Sequence, residues 1–448
     1  MIRIKMRNII KEPIGDRVKH STLANKTSMA ILLSLAMAPQ ASALTLEDLA
    51  KRLDALESQN QMLLQENADL RQAVAQTNEK AEAAVFATEA IADSASGLTK
   101  LANWADKTTI SGYGELHYNN LDNKPGSNTN EPFREADFHR FVLFFGHEFN
   151  DNIRFYSEFE LEHSIAGDDQ NGEIELEQAY LEFGLTDQTQ ARAGVFLVPI
   201  GILNETHEPN TFYGVERNDV ENIIIPSTWW EAGAALNHRL ENGLSFDLAV
   251  HTGLEVPTTG GSAFRVRSGR NKASQAAADD LAATARVKYT GIPGLELAAT
   301  AQYQSDISQA QGDGLEDAML YETHAVYQRG PFALRALYAM WDINGAGAKT
   351  ATDTNGGITS TGGGDEQKGW YLEPSYSFNT RIGKVGAYVR YEDVDGFRVE
   401  DEFSQWETGL NYWPHGNVVI KVDYRSADND NDSSFDYQGF DLGVGYQF

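Results

Sequence analysis

Charged side chains recur at every second position in segments that are otherwise apolar. In "NIRFYSEFELEHS", Arg154, Tyr156, Glu158, Glu160 and Glu162 share one face, and Ile153, Phe155, Ser157, Phe159 and Leu161 share the other. Arg192, Arg286, Lys288, Arg335, Arg390, Lys421 and Arg425 take the polar face of comparable segments, among acids such as Glu182, Glu322, Glu373 and Glu392. A face of mixed charge suits water and mobile ions rather than a dry core, where an unpaired charge is costly. The chemistry this pattern points to is solute passage. A second set crowds one connecting stretch: Glu205, His207, Glu208, Tyr213, Glu216, Arg217, Asp219 and Glu221. In a narrow aqueous passage such groups act at close range and little screened by salt.

Motifs for bond-making chemistry are missing. The ten histidines show no H-E-x-x-H or other paired ligand spacing. His117, His163, His251 and His324 fall at strand ends or on polar faces and read as solvated imidazoles. "DNDNDSSFDYQG" starts like a calcium loop, but Ser433 replaces the turn glycine and Gly439 the closing glutamate, so it reads as a solvated acidic loop. No G-x-S-x-G is present. The expectation is no enzyme, no cofactor and no metal. "RVRSGRNK" gathers Arg265, Arg267, Arg270 and Lys272, either as a mobile solvated loop or as a patch that draws anions or lipopolysaccharide phosphates. A net charge of −29 argues against nucleic acid as a partner, and the absence of cysteine excludes disulfides.

About sixteen segments from residue 109 onward alternate with period 2, each near the ~10 residues a tilted membrane strand requires. They include "EQAYLEFGL", "LAATARVKYTG", "GLELAATAQYQ", "GKVGAYVRYED" and "NVVIKVDYRS". Their connections alternate in length. The short ones are 150–152, 186–189, 241–243, 290–294, 329–331, 379–383 and 414–417; the long ones include 120–137, 198–228, 254–280, 305–317, 342–367, 394–402 and 426–436. A sandwich has no reason to sort its loops this way. An antiparallel transmembrane β-barrel, with tight periplasmic turns and long external loops, does. The mean hydropathy of −0.42 agrees, because barrel strands average apolar and polar faces.

The two ends carry their own signals. Basic residues precede the apolar run "MAILLSLAMA" and Ala41-Ser42-Ala43, so residues 1–43 read as a secretory signal peptide. Residues 44–85 then hold leucines at heptad positions, Leu46, Leu49, Leu53, Leu56, Leu63 and Leu70, with Asn60 and Asn67 in the same seam. That spacing predicts an α-helical coiled coil, followed by a linker over 86–107 and a barrel over 108–448. In the closing "FDLGVGYQF", Phe440, Leu442, Val444, Tyr446 and Phe448 share a face. In a closed barrel such a strand pairs with the first, which places Tyr446 and Phe448 in the interfacial aromatic girdle.

The order of signal peptide, short coiled coil, sixteen-stranded barrel and terminal Phe resembles the phosphate-selective porin O and P family of bacterial outer membranes. The resemblance is specific over "FGHEFNDNIRFYSEFELEH" and "RAGVFLVPIGILNETHEPNTFYGVERNDVENIIIPSTWWEAGAAL". It implies a homotrimer in outer-membrane lipid and lipopolysaccharide, folded by the barrel-assembly machinery through the Tyr446/Phe448 end. It also implies a third external loop, 198–228, that folds inward and sets the constriction. That loop is unusually apolar, with Ile200, Ile202, Leu203, Phe212, Ile223, Ile224 and Ile225; it either enters the barrel or packs outside on a neighbouring copy. Family members are understood to pass phosphate along a ladder of lysines and arginines. The acids of this loop predict instead a weakly selective channel for small hydrophilic solutes, neutral to cation-leaning. The alternative is a structural or adhesive envelope protein whose coiled coil spans the periplasm.

Overall fold

The computed structural model describes residues 46–92, 104–124, 133–258, 262–309, 317–344, 350–352, 358–361 and 364–448. The expected signal peptide lies outside them, as do residues 93–103 of the expected linker. The chain divides into two compact units, Met1–Leu98 and Thr99–Phe448.

In the first unit, residues 46–92 form one helix, α1 (Leu46–Ala92), which runs past the expected end of the heptads. Leu53, Leu56, Leu63, Leu70 and Val74 are each at least half exposed along it.

The second unit is a closed antiparallel barrel. In chain order its strands are β1 (Thr108–Asn123), β2 (Phe133–Asn150), β3 (Ile153–Glu162), β4 (Ile174–Thr186), β5 (Thr189–Leu197), β6 (Trp230–Arg239), β7 (Leu244–His251), β8 (Ala282–Tyr289), β9 (Leu295–Gln304), β10 (Ala318–Arg329) and β11 (Phe332–Ile343). A small hairpin, β12 (Thr350–Thr352) and β13 (Ile358–Thr361), stands apart in one long loop. The barrel resumes with β14 (Glu366–Thr380), β15 (Gly383–Asp395), β16 (Glu402–His415), β17 (Val418–Asn429) and β18 (Tyr437–Gln447). Sixteen strands close the barrel, each beside its chain neighbours, and β1 pairs with β18 from Tyr113 opposite Gln447 to Asn123 opposite Tyr437. Closure pairs every strand edge, which a sheet in lipid requires because no water is there to hydrogen-bond the backbone.

Period 2 decides the faces. Leu372, Leu410, Ile420, Val422, Phe440, Leu442 and Val444 are exposed on the outer wall, while Glu373, Asn411, Lys421, Asp423 and Asp441 are buried inside. The inside is not uniformly wet. Loop 198–229, part of loop 252–281 and Ile307 form an apolar cluster with the inward residues Leu320, Leu337, Trp341, Tyr371 and Val394. Ile200, Ile224, Ile225 and Trp229 of that cluster are wholly buried, each stabilising the loop by roughly 1.5–3 kcal/mol relative to exposure.

Candidate functional site

The loop between β5 and β6 is the element that shapes the interior. Asn204 closes its neck, donating to the Val198 carbonyl at 2.8 Å and accepting from the Trp229 amide at 2.7 Å. From there the chain descends to the short-turn end, where Asn210 donates to Gln447 at 2.9 Å and to the Gly416 carbonyl at 3.2 Å. It is fastened to the wall on its way back. Arg335 donates to the Thr211 carbonyl at 2.6 Å, Lys421 to the Gly214 carbonyl at 2.7 Å, and Trp341 to the Ile224 carbonyl at 2.8 Å. The Val215 amide donates to Asp423 at 2.7 Å and the Asp219 amide to Glu392 at 2.8 Å.

The loop's charged residues divide between water and protein. Glu205 pairs with Arg286. His207 is buried, 3.2 Å from Glu158 and 3.5 Å from Glu177. Glu208 is half-buried, and its carbonyl accepts from the Thr211 amide at 2.9 Å. The Tyr213 ring lies 5.1 Å from Tyr388 and 5.8 Å from Trp413. Glu216 meets His117 and Asn119, each at 3.0 Å; burial pushes its carboxyl up, but the facing imidazole outweighs this and holds it well below the usual range. Arg217 donates to Thr228 at 2.7 Å. Glu221 belongs to the loop's own core, where it accepts from the Ile202 and Leu203 amides at 2.7 and 2.6 Å and from the Tyr371 hydroxyl at 2.7 Å. Burial raises its pKa.

Among the strand residues, Arg154 and Arg192 both hold Glu182, at 2.6 and 2.9 Å. Glu158 and Glu160 are wholly buried, Glu160 at 3.4 Å from Arg140. Glu162 lies beside Glu173 and Glu175. Arg286 holds Asp247 at 2.9 Å, and Lys288 is 3.7 Å from Glu296. Arg390 holds Glu373 at 3.2 Å, with Glu392 and Glu407 alongside, and Arg335 reaches the same Glu373 at 4.0 Å. Arg425 pairs with Asp441 at 2.7 Å, and Lys421 sits over the Phe212 ring at 3.7 Å. At the chain end, Phe448 is exposed on the outer wall, its ring 6.2 Å from Phe141 and 6.5 Å from Tyr446.

Two expectations are corrected here. His117, His251 and His324 are not solvated but buried, at 4%, 1% and 4% exposure, because loops pack into the space that alternation alone leaves to water. The "RVRSGRNK" cluster is not solvated but engaged with other loops. Arg265 pairs with Asp401 at 2.7 Å and Glu400 at 2.9 Å, Arg267 and Arg270 donate to carbonyls of loop 198–229, and Lys272 holds Glu173 at 2.6 Å. The cluster ties one long loop to three others.

One of the spaces left open among the described residues is a cavity of about 370 Å3 between this loop and the wall of β1, β2 and β17. Glu115, His117, Asp137, His139, Arg140, Glu216, Arg217, Asp219, Arg267 and Arg425 line it. Of the β1 and β2 members only His117 stands out in the sequence; in "ADFHRF" a register shift between β1 and β2 breaks the alternation and turns Asp137, His139 and Arg140 inward together.

A closed sixteen-stranded barrel narrowed by an inserted loop is matched by a family model. The model described as Gram-negative porin covers residues 81–432. The chain belongs to this family. This porin is 30% identical over 347 residues to an uncharacterized protein of Aquifex aeolicus (strain VF5), covering 71% of this chain and 76% of that protein. Its fold is similar to OmpF of Salmonella typhi, solved in complex with daunomycin, at TM-score 0.51 and 15% identity over 76% of this chain and 97% of that one. The outer membrane channel DcaP of Acinetobacter baumannii matches at TM-score 0.51 and 13% identity, again over 76% and 97%. The family and the fold make this protein an outer-membrane channel for small solutes.

Proposed function

We propose that this porin passes small hydrophilic ions and solutes with weak selectivity, neutral to cation-leaning. One observation carries the reading: five of the inward arginines already face a carboxylate. Arg140 holds Glu115 at 2.7 Å, and Arg192, Arg286, Arg390 and Arg425 each have a carboxylate within 3.2 Å. An anion binding at any of these five arginines would have to displace a carboxylate. Five carboxylates and four guanidiniums line the cavity beside the loop, a near balance of sign.

A second reading, anion or phosphate selectivity as in the O and P family, is favoured by a different group. Arg217, Arg267 and Arg270 cluster without a carboxylate on any of them among the described residues, and Arg217 Nε and Nη2 and Arg270 Nε are buried without a hydrogen-bond partner. Burial, then the neighbouring Arg270 and Arg217, push the Arg267 pKa down. Reversal potentials across a salt gradient in planar bilayers separate the two readings. Weak selectivity gives values near zero or on the cation side. Chloride current blocked by micromolar phosphate would overturn it and point to these three arginines.

Assembly follows from the parts outside the lumen. The leucine seam of α1 is exposed among the described residues, and its heptad spacing fits further copies of the same helix, in register with a trimer of barrels. Tyr446 and Phe448 would present the outward aromatic end to the assembly machinery.

A further inference from the structure

The external end of β2 and the start of the next long loop bring together three side chains that the solute path does not require. Asp137 and His139 are two residues apart on the inner face of β2. His163 is placed against them because β3 pairs with β2 in a register that puts Glu162 opposite Arg140, and the His163 amide donates to the His139 carbonyl at 3.1 Å. Asp137 Oδ2 then lies 2.7 Å from His163 Nδ1 and 3.2 Å from His139 Nδ1. The three ligand-capable atoms are all within 4.8 Å of one another. His163 and Ser164 hold φ of 51° and 63°, a left-handed turn that non-glycine residues adopt uncommonly and at a cost; here it aims the imidazole back into the cluster.

We infer that Asp137, His139 and His163 form a binding site for a first-row divalent transition metal, with Zn2+ the best match, at the external mouth of the cavity. Two imidazoles and one carboxylate are the donor set such ions take, whereas Ca2+ and Mg2+ prefer oxygen alone. A tetrahedral ion with bonds of about 2.0–2.1 Å holds its ligand atoms roughly 3.3 Å apart, close to the two separations already present. The side chains are 15%, 26% and 31% exposed and all three line the cavity, so an ion can enter from it and keep a position open to water. The His139 ring stacks on His117 at 4.6 Å, and His117 holds Glu216 of the inserted loop at 3.0 Å. A bound ion is therefore linked to the narrowing element through two stacked imidazoles, His139 and His117.

The test uses the full folded chain in detergent, with Zn2+ as the probe. Calorimetry is expected to show one tight Zn2+ per chain that millimolar Ca2+ does not displace. X-ray absorption is expected to show imidazole scatterers among ligands at about 2.0–2.1 Å. Asp137→Asn and His163→Asn, each checked for heat-modifiable migration, are expected to weaken binding by at least about tenfold. Failure of the wild type to bind, a spectrum with oxygen ligands only, or full affinity in both variants would each overturn the site. These readouts need no current, so they stand apart from the selectivity proposed above.

Discussion

At the scale of single residues, His207 shows how the inserted loop is held. Burial favours its neutral form, but Glu158 and then Glu177 outweigh this and push its pKa up to about 10, against a smaller opposing effect of Arg217. An imidazole raised above its unfolded value, near ~6.5, contributes its stabilisation in full below that pH. The contribution is lost as pH rises through about 10. The loop is therefore expected to stay seated from acid to neutral pH and to loosen in strong alkali, seen as rising current noise in bilayers between pH 9 and 11. His207→Ala leaves two buried carboxylates unpaired, an effect on the order of 3–5 kcal/mol, and should give that noise already at pH 7. Quiet channels in the variant would show that the latch lies elsewhere.

At the scale of elements, the seat for the loop is built from missing side chains. Gly443 and Gly445 alternate on the inner face of β18. A Cβ at Gly445 would meet the Pro209 ring, and one at Gly443 would lie 3.1 Å from Val215. On β14, a Cβ at Gly369 would come 3.2 Å from Val220 and Ile224. Bare backbone lets the loop approach the wall closely at these positions. Gly445→Val is expected to leave the outer face and barrel closure intact and to displace the Pro209 segment, with overpacking worth about 1–3 kcal/mol. Its unit conductance should differ from wild type while heat-modifiable migration persists. Equal conductance would mean that this stretch of loop does not restrict the path.

At the scale of the whole molecule, the helix and the barrel make separable predictions. Removing residues 46–92 is expected to leave unit conductance unchanged and to weaken the oligomer on unboiled gels, since the lumen contacts described above lie within the barrel unit. Loss of all conductance on this deletion would favour a structural envelope role over a channel. A peptide of residues 44–107 should self-associate in analytical ultracentrifugation, burying Leu53, Leu56, Leu63 and Leu70. A monomer at high concentration would refute the heptad reading.

Alternation of side chains is a local property, so strand number, the sorting of short and long connections, and the inward or outward direction of Arg390, Lys421, Leu442 and Val444 were legible in the sequence alone. The apolar composition of 198–228 likewise signalled a loop that must bury itself, though not where. Only the closed barrel decided that the loop enters, because the wall residues it packs on, Leu320, Leu337, Trp341 and Tyr371, come from strands about ninety or more positions away. Contacts between separate segments also hid the fate of the arginines of "RVRSGRNK", spent on other loops, and the burial of His117, His251 and His324. They hid the Asp137, His139 and His163 cluster as well. Two of its members are two residues apart, but the third arrives through the β2–β3 register. Register and loop placement are set by contacts between segments remote in the chain, and a pattern of period 2 holds no record of which segments will meet.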